Sequence, residues 1–346
     1  MDKLSPLFLC LLPFMVLLVE IEAMRGTYKP QGSHVKLFVF GDSYVDTGNT
    51  PKPFSKAWKP PYGITYPGKP AGRFSDGRVL TDYIAQFLSI PSPVPYRQRK
   101  FGKKLIRYGM NFAYGGAGVF DTSVRQHNLT TQISNLEQLI AQKVYLKNDM
   151  EFSIALVSLA GSDYATYLNN KGSIWGFPGF TVKLINQLVW DVKRIHELGV
   201  RRIGVVSIEP MGCLPAFTGP ASFQYCDENV NIAAQSHNLL LLQALNQLRI
   251  GNGARQGSDI DIVVLDLYTA FMFALETTGQ SLRPCCVGMG NQDSCGSQGY
   301  KGEKRYTVCK DPANSSFFWD MVHLSQHGWA AIYSFLQSSS LHQLRY

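Results

Sequence analysis

Short apolar runs alternating with longer amphipathic stretches constrain this 346-residue chain more than any other feature of its sequence. Residues 34–40, 105–112, 152–159, 202–208 and 259–267 each carry a compact run rich in β-branched, aliphatic or aromatic side chains, the pattern of strands buried on both faces of a parallel sheet. Between the later runs, residues 181–198 set Val182, Leu184, Ile185, Leu188, Val189, Val192 and Ile195 at near three-and-four spacing and stop at Gly199. That is one apolar helix face with a glycine end. Residues 229–248 and 326–341 read the same way. Strands alternating with helices predict a mainly parallel α/β sandwich. No internal repeat or low-complexity linker divides the chain, so a single domain is expected. With 45% hydrophobic residues, 31 Gly and 18 Pro, the composition excludes a disordered, collagen-like or long coiled-coil protein.

The first 23 residues are expected to be a secretory signal peptide, leaving residues 24–346 as the mature domain. Lys3 precedes an apolar run from Leu7 to Val19, then Glu20-Ile-Glu-Ala23. The run is too short to span a bilayer, Pro13 interrupts it, and no later stretch is long and apolar enough. Lys plus Arg exceed Asp plus Glu by 33 to 25. Removing Lys3, Asp2, Glu20 and Glu22 makes this 32 to 22, a net +10. The cations are scattered, which predicts weak attraction to acidic polymers or surfaces and no nucleic-acid partner.

The cysteine count agrees with export. Cys10 leaves with the leader, and Cys213, Cys226, Cys285, Cys286, Cys295 and Cys309 remain. An even number in an oxidising compartment predicts three disulfides. Cys213 pairs with Cys226, while Cys285 and Cys286 take Cys295 and Cys309 in an order the spacing leaves open. A zinc site on the last four lacks the usual CxxC spacing. Asn128-Leu-Thr130 and Asn314-Ser-Ser316 are sequons for glycosylation.

Chemistry is expected where the first strand runs into Gly41-Asp42-Ser43-Tyr44. Open α/β sheets put reactive groups just beyond the carboxyl ends of their strands, which makes Ser43 a candidate nucleophile. Near the other end, Asp320 stands three residues before His323. One turn of chain can hold this carboxylate against the imidazole, the base-and-orienter pair that a serine nucleophile requires.

Through the ordered motifs KLFVFGDSYVDTGN, PYGITYPGKPAGRFSDGRVLTDYIA, YGMNFAYGGAGVF, VSLAGSDY, EPMGCLPAF, VVLDLY, PCCVG and FFWDMVHLSQHGW, the chain resembles the plant-type GDSL esterases/lipases of the SGNH hydrolase superfamily. The likeness covers essentially the whole mature chain. It implies a three-layer α/β/α flavodoxin-like sandwich, export to the apoplast or cell wall with the vacuole as an alternative, and hydrolysis of small acyl esters without metal or organic cofactor. It implies Ser43 as nucleophile, Asp320 as orienting acid and His323 as base. The implied oxyanion hole is the Ser43 N–H, Gly116 or its neighbour Gly115, and the position of Ser162. The family has Asn where this chain has Ser162, and a shorter, freely rotating hydroxyl is a poorer donor there. The sequence also reads Leu324-Ser-Gln after His323, where Pro-Thr-Glu is usual. These departures leave a specialised acyltransferase and a binding protein with impaired catalysis as alternatives to an active esterase.

Other features carry less. Pro70 replaces the Ser or Thr that a phosphate-binding loop at residues 63–70 would need, and neither GxSxG nor HExxH occurs. His196 reads as a helix C-terminal residue and His237 as a packing or surface residue. His327 is a rival base without an acid three residues before it. Asp42, Asp46 and Asn49 are expected to satisfy backbone groups in the turn and cap a following helix, and Asp163 to anchor a loop. Trp58, Tyr62, Tyr66, Tyr167, Trp175 and Phe177 could line an acyl pocket or pack long loops.

Overall fold

A computed structural model describes residues 35–101, 104–124, 127–159, 161–253, 260–279 and 281–345. The expected leader at 1–23, Cys10, and the first residues of two expected strands, His34 and Asp259, lie outside this set. Six parallel strands form one sheet: β1 (Lys36–Gly41), β2 (Val94–Pro95), β3 (Gly109–Asn111), β4 (Ser153–Ser158), β5 (Arg202–Val206) and β6 (Asp261–Leu265). Their order across the sheet is β2-β3-β1-β4-β5-β6.

The alternation of side chains along each strand builds two cores. Phe38 and Phe40 point to one face with Met110, Ala155, Val157, Ile203 and Val205. There they meet α2 (Leu129–Ala141), α4 (Phe177–Glu197) and α5 (Glu228–Gly253). Leu37 and Val39 point to the other face with Ile154, Leu156, Val263 and Leu265. That side is covered by α1 (Leu80–Phe87), α6 (Leu267–Thr278) and α7 (Gln326–Ser339). The result is the three-layer α/β/α flavodoxin-like sandwich, with α3 (Ser162–Asn169) at the carboxyl edge after β4.

Two elements differ from the sequence reading for local reasons. The strand expected at 105–112 is confined to Gly109–Asn111, because Ile106–Tyr108 closes a 3-10 turn. The helix expected from 181 starts at Phe177, since Pro178 in its first turn has no N–H to leave unpaired.

Strand order fixes where a site can form. From β1 the chain builds β3 and β2 on one side, then crosses to add β4, β5 and β6 on the other. The loops leaving β3 and β4 therefore diverge on either side of the carboxyl end of β1, the crevice in which open α/β sheets bind ligands. Gly41 makes that end possible. It has φ +151°, and a Cβ would collide with the Ser158 carbonyl oxygen of β4. Its N–H donates to Gln132 Oε1 at 2.8 Å, and its carbonyl accepts from Gln132 Nε2 at 2.8 Å.

Beyond the sheet, β7 (Cys286–Gly288) and β8 (Tyr306–Val308) form an antiparallel hairpin. All six expected cysteines are bridged: Cys213–Cys226, Cys285–Cys309 and Cys286–Cys295. This gives the order that spacing left open and leaves none of these six sulfurs free as a thiolate for zinc. Gly41→Ala combines a disfavoured φ with a backbone clash, so it should cost roughly 3 kcal/mol or more of stability. Urea denaturation of the purified variant checks this.

Candidate active site

Ser43 lies two residues past β1. The Tyr44 N–H donates to Asp42 Oδ1 at 3.0 Å, closing the turn. Asp46 is fully buried and gathers the N–H groups of Gly48, Asn49 and Thr50, the Thr50 hydroxyl and the Gly115 N–H. Burial raises its carboxyl above the usual range, and these donors oppose the rise. Asn49 donates to the carbonyls of Asn111 and Ala113 at 2.8 and 2.9 Å. The expected turn role of these residues is therefore present, but the segment after Ser43 is a turn, and the helix they were expected to cap is absent from it.

Asp320 and His323 come from a tight loop ahead of α7, closed by an antiparallel bridge between Phe318 and Leu324. Asp320 Oδ1 accepts the N–H groups of Val322 at 2.9 Å and His323 at 2.8 Å. Its carboxylate also takes the His323 Nδ1–H, at 2.8 Å from Oδ2. With Nδ1 protonated, Nε2 is the free acceptor, and it stands 2.9 Å from Ser43 Oγ. The line from carboxylate to imidazole to hydroxyl is thus continuous. Burial alone would raise the Asp320 carboxyl; the His323 charge and the hydrogen bonds outweigh it and hold the group below its usual range.

One of those hydrogen bonds had no sequence signal. The Tyr62 hydroxyl, 258 residues away, donates to Asp320 Oδ2 at 2.7 Å. Tyr62 packs edge-on against Trp319 in a small core with Cys285, Cys286 and Cys295. The hairpin is hydrogen-bonded to the stretch before the acid, Cys285 N–H to the Phe318 carbonyl and Cys286 N–H to the Trp319 carbonyl. Two disulfides therefore back the loop that bears Asp320 and His323.

The serine opens on a cavity of about 390 Å³ with mainly apolar walls, including Leu168, Ile174, Phe177, Met211, Leu214 and Phe217. Ser162, the first residue of α3, also lines it. Gly116 does not, although it lies in the loop after β3 with φ +79°. The Gly115 N–H is committed to Asp46 and to Thr50 Oγ1 at 2.8 Å, while no acceptor faces the Gly116 N–H among the described residues. Of the aromatic pocket candidates, only Phe177 reaches the wall. Tyr62 braces Asp320, Tyr66 lies under Arg78, Trp58 donates to the Thr50 carbonyl, Tyr167 stacks on Phe180, and Trp175 is 93% exposed.

The remaining candidates have structural partners. Asp163 accepts the N–H groups of Val119 and Phe120, and burial pushes its carboxyl up to about 6. His237 is buried against the Tyr164 hydroxyl, and that burial lowers it to about 4. His196 lies 3.2 Å from the Val200 carbonyl at the end of α4. Asn128 caps α2 through the Thr131 N–H, and its amide donates to Asp121, while the exposed Asn314 donates to Asp311.

Tyr62→Phe removes one hydrogen bond to a buried charge, a loss of about 1.5–3 kcal/mol. The Asp320 carboxyl is lowered in the folded protein, so its share of stability is present above the unfolded pKa, near 3.9, and is lost as pH falls through the folded value. Melting curves should show the full deficit of the variant at neutral pH and a deficit that shrinks as pH falls below the usual carboxylate range.

Comparison with known proteins gives the family. The family model for GDSL-like lipase/acylhydrolase matches residues 37–336. A GDSL esterase/lipase of Arabidopsis thaliana is 44% identical, covering 98% of this chain and 98% of its own. A second from the same plant is also 44% identical, over 89% of this chain and 90% of its own. Acetylajmalan esterase 2 of Rauvolfia serpentina is 30% identical, over 89% and 91%. The chain belongs to the GDSL lipase/acylhydrolase family.

Proposed function

We propose that this protein is an exported serine carboxylester hydrolase that works through Ser43, His323 and Asp320. The observation that carries the reading is the unbroken hydrogen-bonded line from Asp320 through His323 to Ser43 at the wall of an apolar cavity. In the proposed cycle Ser43 Oγ bonds to the ester carbonyl carbon as its proton passes to His323 Nε2. His323 then gives that proton to the leaving alcohol, and the acyl group stays on Ser43. Water attacks next, His323 takes its proton, and the acid leaves as the serine is restored. Asp320 fixes the tautomer and stabilises the imidazolium without taking the proton itself.

The developing oxyanion requires donors already in position. We assign these to the Ser43 and Gly116 N–H groups and to Ser162. Gly116 is favoured over Gly115 because the N–H of the latter is already used twice. Ser162 opens α3, so the first N–H groups of this eight-residue helix, which have no partner within it, reinforce the hydroxyl with partial positive charge. The apolar walls suit the acyl part of a small ester. Three disulfides fit an oxidising compartment, and removal of residues 1–23 during export is part of the same reading. Among the described residues, no helix is long and apolar enough to cross a membrane.

Titration with a fluorophosphonate probe, beside turnover of p-nitrophenyl acetate and butyrate, tests the assignment. The mature chain should label stoichiometrically at Ser43 and hydrolyse both esters, while Ser43→Ala should do neither and keep its melting temperature. Esterase activity retained in Ser43→Ala would overturn the reading. Ser162→Asn should raise kcat by roughly tens to hundreds of times if the hydroxyl merely weakens the hole. An unchanged or lower kcat would mean that this pocket is built around serine.

A further inference from the structure

Glu209 follows β5 by three residues, in the wall of the cavity that contains Ser43. It is 1% exposed, and among the described residues its Oε2 has no hydrogen-bond partner. Its Oε1 stands 3.3 Å from the Tyr44 hydroxyl, which stands 2.9 Å from the Val322 carbonyl oxygen. A phenol has one hydrogen to give. If Glu209 were ionised, both neighbours would be acceptors, and one contact would be oxygen against oxygen with no hydrogen between. The shorter contact is to Val322, so Tyr44 donates there. A hydrogen between Glu209 and Tyr44 would then have to come from the carboxyl.

Val322 immediately precedes His323, and its own N–H is on Asp320. The Tyr44 ring stands edge-on to both His323 and Trp329. We propose that Glu209, as a neutral acid acting through Tyr44 and the Val322 carbonyl, is a positioning residue that keeps His323 aligned with Ser43. The proposal rests on the triad reading above.

The surroundings favour the neutral acid. Burial pushes its carboxyl up to about 8, Asp42 adding to the rise while a hydrogen bond from its own backbone N–H and one with Tyr44 oppose it. The groups that face this chain are Asp42 and Tyr44 from the loop after β1, Asp320 and His323 from the loop before α7, and Tyr164 from α3 in the same cavity wall. Burial first, then Glu209 and Asp42, keep Tyr44 far above its usual range, and burial does the same for Tyr164. Both phenols therefore stay neutral while Glu209 titrates. Once ionised, Oε1 becomes a charged acceptor, and a bond to it is about twice as strong as one to a neutral carbonyl. The single Tyr44 hydrogen turns towards it, and Val322 is released.

The test compares the protein with Glu209→Gln and Glu209→Leu, measuring kcat, KM and melting temperature from about pH 6 to about pH 9.5. The unaltered protein should lose about tenfold in kcat on the alkaline side of pH 8, with KM little changed. Glu209→Gln should lack that limb, since an amide N–H donates to Tyr44 at every pH. Glu209→Leu should lose about tenfold in kcat at neutral pH while melting no lower, because a buried oxygen without a partner has been removed. An equal alkaline limb in the Gln variant, or full kcat in the Leu variant, would overturn the proposal. The infrared carbonyl band of a protonated carboxylic acid, present at pH 7 and lost in Glu209→Gln, is a second readout that needs no turnover. Its absence overturns the proposal as well, whereas failure to label Ser43 with this band present counts against the triad reading.

Discussion

A single buried carboxylate, Asp46, ties together the two loops on which the site is built. Four of its donors come from the turn after β1, and the fifth, the Gly115 N–H, comes from the loop after β3. A buried charge is tolerated only when its oxygens are saturated in this way. The saturation sets the register between the loop that carries Ser43 and the loop that carries Gly116. Asn49 repeats the connection from the same turn by reaching the carbonyls of Asn111 and Ala113. Ser43 is therefore anchored from one side by the sheet, through Gly41, and from the other by a polar knot.

Much of this was legible in the sequence, and the particular residues show why. The runs at 152–159 and 202–208 read as strands because both faces of β4 and β5 are buried, so neither carries a polar alternation. Asp320 and His323 were recognisable because their partnership is local, three residues apart. The helix Leu80–Phe87 is too short for its period to stand out, and Val94–Pro95 is a strand only because β3 lies beside it. Tyr62 and Glu209 were illegible for a different reason. Each meets its partner across more than 160 positions of sequence, Tyr62 at Asp320 and Glu209 at Tyr44. A tyrosine in a proline-rich loop and a glutamate after a strand give no local hint of such a meeting.

The groups around Ser43 differ in what carries them. Ser43, Gly116, Ser162 and Glu209 follow consecutive or neighbouring strands, so their spacing is inherited from strand pairing at fixed distance. Asp320 and His323 do not belong to that series. They stand on a loop whose shape is closed by its own hydrogen bonds and leans on the β7–β8 hairpin.

That hairpin carries two of the three disulfides, closing loops of 24 and 9 residues in sequence separation. The backing of the acid is consequently set by covalent chemistry that the sheet does not supply. Reduction of the Cys285–Cys309 and Cys286–Cys295 bridges would remove the covalent part of the support behind Asp320 and Tyr62. In this molecule the redox state of the surroundings bears on the loop that holds Asp320 and His323 as well as on the stability of the fold.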